Sequence, residues 1–573
     1  MPDFFDGNVR RWRFLYGDPS RNVSQKSYGF FAQDDFRVRP NVTVNLGLRY
    51  DVTDPIKDSR NLLANYVPVL NGQPGGIIQV GQGISSPYPT NYNNVSPRIG
   101  VAWDVFGTGK TVFRSGFGLI FEQPSIRTFM FNGGGINLNP SGIPYDDGTG
   151  TIITPPGTID SFLRISTDGS LINWTGTGHI FPTAAGNLCS LFDSDGNDNQ
   201  CDVFGVDQHL KTPYVMNWNL NIQQEIARDT VLQIGYVANH GVKLYSVSDI
   251  NQVNPALDDG SEAYGRPLNT NCPVSQGGLG LGGPCFPYIG YLSFLGNRSN
   301  SSYNSLQATL TKRYSRGLYL LAGYTFAHAI DTATSNLAGV PPDSNNYNEE
   351  RGNGDYDIRH RFTLSVTYDL PAVKAKWQML EGWQVTSIVN LQSGEPYTLG
   401  DFNDDISFTG EFNDRWNFAG NPGDIRWSAT TPVPWIPDGT TDAACLAQAT
   451  TQGEYDNLAY YGCFHQGTAV ITPPADTTQG NGRRNIFRGP AFANWDFSLS
   501  KVWKLNERVK MQFRGEFFNI LNHTNFDVFT MNTDLSTPTD VGLVRLTPDV
   551  AASNPVIGSG GSRHIQLGAK IIW

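Results

Sequence analysis

The chain has no apolar run of the roughly 18 residues that an α-helix needs to cross a bilayer, which excludes an ordinary membrane helix but not a wall of strands. It is also poor in charge: 16% of its 573 residues are Asp, Glu, Lys or Arg, and the balance is −11. Binding to a phosphate backbone rests on clustered Lys and Arg, so nucleic acid is set aside. Histidine is scarce and scattered; no Ser stands in G-x-S-x-G, no H-E-x-x-H occurs, and "GLGLGGP" at 278–284 lies in a Cys-bounded segment rather than between a strand and a helix. No nucleophile and base are set up together, so the chain reads as a non-enzyme without a cofactor. The start, "MPDFFDGNVRRWRF", lacks the apolar centre of a secretory signal; the expectation is that the front end of the protein lies elsewhere.

Cysteines number only 6, and they fall into local couples inside Gly/Pro/Asn-rich stretches: Cys189 with Cys201, Cys272 with Cys285, and Cys445 with Cys463. None has C-x-x-C spacing, so oxidised loop clasps are expected rather than a metal site, which places those loops outside the cytoplasm.

What is plentiful is turn formers and rings: 62 Gly, 35 Pro, and 12% Phe, Trp and Tyr. That favours many strands joined by turns and long loops. In "NVTVNLGLRYDV", Val42, Val44, Leu46, Leu48, Tyr50 and Val52 alternate with polar residues, the period of an amphipathic strand. The same pattern recurs in "SYGFFAQDDFRV", "VSPRIGVAWDV", "TVFRSGFGLIFE", "YVMNWNLNIQQEI" and "TVLQIGYVAN", in hairpins at about 302–330, 358–396 and 492–521, and in the closing "RHIQLGAKIIW". About thirteen strands result, and "RRWRFLY", with Trp12, Phe14 and Tyr16, offers a fourteenth.

The turns within hairpins are short, whereas the loops between them, roughly 55–94, 123–211, 249–301, 332–356 and 398–491, are long. Apolar faces carry Tyr, Trp and Phe near strand ends, and the opposite faces carry Asn, Gln and Arg. An all-β, antiparallel transmembrane β-barrel with long extracellular loops explains both faces and both ends. A soluble propeller is the alternative, and it would show a more regular blade period.

Six blocks carry a resemblance: "SYGFFAQDDFRVRPNVTVNLGLRYD", "NYNEERGNGDYDIRHRFTLSVTYDLP", "GWQVTSIVNLQSGEPYTL", "RRNIFRGPAFANWDFSLSKVW", "RGEFFNILNHTNF" and "RHIQLGAKIIW". In this order they resemble the Oar-like TonB-dependent transporters. The resemblance implies a signal peptide, an immunoglobulin-like domain, a plug with a TonB box, and a barrel of about 22 strands. This sequence then corresponds to the C-terminal portion of the barrel: residues 28–573 form the barrel domain and residues 1–27 a loop or weak strand.

The implied function is a receptor that imports a bulky nutrient, a peptide or glycan, across the bacterial outer membrane, with its C-terminus periplasmic. Its partners are outer-membrane lipid, the barrel-assembly machinery, and the TonB system through a plug carried elsewhere. A surface adhesion barrel without transport, or a non-functional truncated copy, is the alternative. The terminal strand, with Ile565, Leu567, Ile571 and a final Trp573, resembles the signal read by the assembly machinery.

Two sets of site residues follow. "DSDGNDNQCD" brings Asp193, Asp195, Asn197 and Asp198 together as oxygen ligands for Ca²⁺, although the glycine offset and the absent distal Glu depart from an EF-hand, and a polar loop beside a disulfide is the plainer reading. The polar faces supply Arg49, Arg98, Arg114, Glu122, Arg361, Arg514 and Glu516, with Asp104 and Arg359, as lumen candidates that line a path or brace the wall.

Overall fold

The computed structural model describes residues 22–70, 73–81, 83–130, 201–257, 265–274, 278–286, 289–334, 340–374, 376–548 and 560–573, together with the backbone of short strands at 12–17, 145–146, 152–153, 161–166, 190–192 and 198–199. Thirteen antiparallel strands pair in chain order into one sheet. They are β1 (Ser27–Arg39), β2 (Val42–Thr53), β3 (Val95–Asp104), β4 (Thr111–Phe121), β5 (Tyr214–Ala227), β6 (Thr230–Asp249) and β7 (Ile289–Ser315). The remainder are β8 (Leu318–Asp331), β9 (His360–Asp369), β10 (Trp383–Gln392), β11 (Phe492–Lys504), β12 (Lys510–Phe518) and β13 (His564–Ile572).

Period-two alternation becomes two continuous faces because directly paired residues share a side of the sheet. Register carries one face from Arg98 through Gly118, Asn217, Asn239 and Tyr303 to Ala329. The other face carries Leu48, Ile99, Ile222, Ile234 and Leu567, each between 47 and 68% exposed. So large an apolar surface is not left to water by a soluble protein. Polar groups on it pair across strands: Trp495 Nε1 donates to Ser387 Oγ at 2.8 Å, and Tyr236 Oη bonds Asn304 Oδ1 at 2.6 Å. In lipid such groups have no water to turn to.

One end of the sheet is closed by short turns. Arg316 and Gly317, both at positive φ, link β7 to β8 in two residues, as a primed hairpin turn requires. A Cβ on Gly317 would sit 2.9 Å from the Asp369 carbonyl, so space as well as φ demands glycine. At the same end Lys501 is buried, with Nζ donating to the carbonyls of Gln378 and Glu381 in the β9–β10 turn.

The other end carries the long connections 54–94, 122–213, 250–288, 332–359, 393–491 and 519–563, and there the apolar cores lie. β6 and β7, 20 and 27 residues long, rise past their neighbours into this layer. The loop expected over 249–301 is therefore shorter, 250–288. Register shifts between Gly241, Leu244 and Ser246 break the simple alternation that would have revealed the extension. A parallel strand, Cys201–Val206, lies alongside the rising part of β7.

The fourteenth strand is corrected. Trp12–Gly17 does form a strand, but it pairs with Ser161–Ser166 in a separate two-stranded sheet, not with the wall. Among the described residues β1 pairs along the wall only with β2, and β13 only with β12. Both run from the loop end to the turn end, so placing them side by side would give a parallel pair.

Candidate functional site

The lumen candidates do not converge. Register puts Arg49, Arg98, Arg114, Arg361, Arg514 and Glu516 on the polar face, spread over five strands. Arg49 Nε bonds both carboxylate oxygens of Asp51 at 3.0 and 2.8 Å, and Arg514 lies 3.8 Å from Glu516, each two residues along its own strand. Arg114 donates to Gln223 Oε1 at 2.6 Å on the neighbouring strand, Arg98 is flanked by Gly47 and Gly118, and Glu122 stands one residue past β4. Asp104 Oδ2 accepts from Gly109 N in the β3–β4 turn. These contacts brace strands and turns locally.

The charges that do converge sit at the loop end, where two of the resemblance blocks meet. "NEERGNGDYDIRH" and "RRNIFRGP" lie more than a hundred residues apart and are knitted together. Arg484 binds the carboxylate of Asp331 and its carbonyl (2.9 Å), Thr334 Oγ1 at 3.2 Å and the Glu350 carbonyl at 2.9 Å. Asn485 Nδ2 donates to Asp355 Oδ1 at 2.6 Å and to the Asn353 carbonyl at 2.8 Å, and Asn353 returns a bond to the Asn485 carbonyl at 2.7 Å. Asp357, with no exposed side-chain surface, holds Arg359 at 2.9 Å and Arg488, and takes the Ala329 amide at 2.6 Å. Arg415 closes the set on Glu350. No local spacing signals this rim; the resemblance blocks contained Glu350, Asn353, Asp355, Asp357, Arg359, Arg484, Asn485 and Arg488 without showing that they touch, and Asp331, Thr334 and Arg415 lie outside them.

Above the rim, the 393–491 loop folds into a cap. Asn417–Ala419, Ala469–Thr472, Cys463–Gln466 and Trp435–Ile436 form a small sheet in that order. Helix α1 (Gln452–Tyr461) is started by a capping box between Thr451 and Glu454. Trp416, Phe464, Ile471 and Phe487 form its core with Val528, Met531, Val541 and Val544 from the 519–563 loop. The expected clasp Cys445–Cys463 is present, with sulfurs 2.06 Å apart, and ties the segment before α1 to the sheet. Cys272–Cys285 is likewise formed, at 2.09 Å. Cys189 and the side chain of Cys201 lie outside the described residues.

The segment 401–416 pins the cap to its neighbours. Val253 N donates to the Thr409 carbonyl at 3.2 Å, Asn413 Nδ2 to the Val340 carbonyl at 2.8 Å, and Phe402 N to Asp534 Oδ1 at 3.2 Å. At its centre Asp414 accepts Ser407 N and Oγ, both at 2.7 Å, and Gln479 Nε2 at 3.3 Å. Burial, reinforced by nearby Asp405 and only partly offset by these bonds, pushes the Asp414 carboxyl up to about 6. Asp401 is raised for the same first reason, burial.

The proposed Ca²⁺ ligands Asp193, Asp195 and Asn197 lie outside the described residues, and of Asp198 only the backbone, in a two-residue strand, is described. Among the described residues no group of three or more His, Cys, Asp and Glu is placed to hold a metal ion. The terminal residues Ile565, Leu567 and Ile571 lie on the apolar face of β13, and Trp573 follows it, 90% exposed.

A family model described as an outer membrane beta barrel domain matches residues 1–566. Among curated proteins no sequence matches. Solved structures that resemble the chain include the outer membrane transporter YddB from Escherichia coli, at 12% identity and a TM-score of 0.41, over 96% of this chain and 55% of that one. The ferripyoverdine receptor of the Pseudomonas aeruginosa outer membrane matches at 8% identity and 0.39, over 96% and 39%. The ferric enterobactin receptor of the same organism matches at 10% identity and 0.41, over 96% and 45%. The chain thus spans about half or less of the length of these proteins.

Proposed function

The chain belongs to the outer membrane β-barrel domain family, and on that premise we propose that it is the barrel portion of a TonB-dependent transport receptor similar to the Oar group. It binds a bulky nutrient, a peptide or glycan, in its folded loops and admits it across the outer membrane, without catalysis. The loops face outward and the C-terminus faces the periplasm. The observation that carries this reading is the difference between the two ends of the sheet: short turns at one, and at the other a layer of loops with its own cores, disulfides and charge network.

The shared direction of β1 and β13 supports the portion part of the proposal. An antiparallel wall closes only if an odd number of further strands stands between them. A second copy inserted in the same sense would again meet in parallel. In this reading those strands, the plug and the TonB box belong to a longer protein, and the terminal strand is offered to the barrel-assembly machinery.

Fractionation of the native cells tests the proposal. The protein is expected with the outer membrane, with a mobility on gels that changes on heating, and its loss is expected to impair growth on a polymeric peptide or glycan. A freely soluble protein overturns it, and outer-membrane protein whose loss leaves uptake unchanged favours an adhesion barrel instead.

A further inference from the structure

The connection from β2 to β3 borders an open pocket of about 630 Å³ at the outer end of the sheet, within the range of small-ligand sites. Its apolar side includes Val67 and Ile84, both buried. Its polar side is made of Ser85, Ser86, Thr90, Tyr92 and Gln208, of which Ser86 is spent on the Tyr88 carbonyl at 2.8 Å. Among the described residues no Asp, Glu, Lys, Arg or His lines it, in a protein of net charge −11.

The polar groups are not used up. Gln208 Nε2 is spent on the Pro87 carbonyl at 2.5 Å, which fixes the amide and leaves its oxygen without a donor among the described residues. The hydroxyls of Ser85, Thr90 and Tyr92 make no hydrogen bond among the described residues, and the Tyr92 ring is 64% exposed. Nearby, Asn65 holds the wall of the pocket rigid, donating to the Pro87 and Val206 carbonyls at 2.8 Å each and accepting the Val206 amide at 2.8 Å.

We infer that this pocket is a binding site for a neutral oligosaccharide. Hydroxyls that both donate and accept match sugar hydroxyls, an open aromatic ring offers a face to the C–H side of a pyranose, and the absence of charge gives nothing to a carboxylate, a phosphate or a peptide terminus. The inference deepens the proposed function, and rests on it, by choosing glycan over peptide for the outer site.

The test is isothermal titration of the full-length protein in detergent with maltotriose, cellotriose and tri-N-acetylchitotriose. One of the three is expected to bind, at least tenfold more weakly to Tyr92→Ala and to Thr90→Trp, which fills the pocket, while Tyr92→Phe retains most of the affinity. Both positions reach the surface, and an unchanged melting temperature establishes folding of the variants. Absence of binding by all three sugars, or equal binding by Thr90→Trp, overturns the inference. Outer-membrane partition of the same proteins separates the two failures: a protein that reaches the membrane but binds no sugar loses only this site.

Discussion

Arg488 reaches Asp357 twice, once at the carboxylate and once at the main-chain carbonyl, at 2.6 Å. One side chain thereby joins the strand leading out of the cap to the segment leading into β9. The Asp357 side chain has no exposed surface, and without Arg488 it keeps only Arg359 and the Ala329 amide. Arg488→Met is expected to cost about 1.5–3 kcal/mol at the rim. Hydrogen exchange should rise over 350–360 and 484–490 while the β5–β7 ladder stays protected; unchanged exchange at the rim would refute the role given to this pair.

Asp414 should favour the folded cap as pH falls. The folded-state value of the Asp414 carboxyl lies above its unfolded value, so the folded cap binds the proton more strongly. Its contribution is full below about 4, is lost as pH rises toward about 6, and is flat above that. Asp442 and Glu454, both lowered, act in the opposite sense. The comparison that isolates the effect is therefore wild type against Asp414→Asn, with protease susceptibility of the 393–491 loop as readout. The variant should lose the part of the slope between pH 4 and 6.

Reduction should loosen the cap without touching the wall. The Cys445–Cys463 bridge closes a separation of 18 residues, for which chain entropy gives about 3 kcal/mol. Cys445→Ala with Cys463→Ala should expose α1 to proteolysis and leave the β-sheet circular dichroism signal in place.

The two faces can be told apart by charge. Leu220 on β5 lies on the apolar face, 41% exposed, and Asn219 beside it points the other way. Leu220→Arg is expected to cost about 2–4 kcal/mol if the strand centre meets lipid. Asn219→Arg should be tolerated, as measured by unfolding from bilayers in urea. Equal tolerance of both would remove the membrane assignment.

Deletion of Trp573 is expected to lower the amount of protein in the outer membrane severalfold while leaving synthesis unchanged, as seen by blotting membrane and total fractions. The residue is 90% exposed and holds nothing together inside the chain, so an effect on level would report recognition rather than stability.

The wall was legible because lipid and lumen impose a period of two on each strand; Val42 through Val52 display it without interruption, and Tyr214 through Ile226 with a break at Gln224. The extension of β7 was not, because the register shifts near Leu244 reverse the face and because Ile289, Leu292 and Leu295 are buried in a loop layer rather than in lipid. The cap was hidden for a different reason. Its strands are two to four residues long, too short for any period, and its core is shared between loops 397–487 and 528–544. Of the rim, the sequence offered Arg359 as a candidate. Asp357 and Arg488 were readable only as letters in a motif, since what joins them is the closure of a long loop.

The rising part of β6 and β7 gives the loop layer two kinds of attachment. Ser248 and Asp249 pair with Phe294 and Ser293 in the same ladder that continues down into the wall, so whatever rests on this hairpin moves only if main-chain bonds break in series. The cap over β10 to β12 is fastened instead by guanidinium and carboxylate groups and by a carboxyl that changes charge near pH 6. The hairpin carries its own buried ion pair, Arg266 with Asp249 at 3.0 Å, so charge fastens both attachments, and what sets the first apart is the main-chain ladder that runs from it down into the wall.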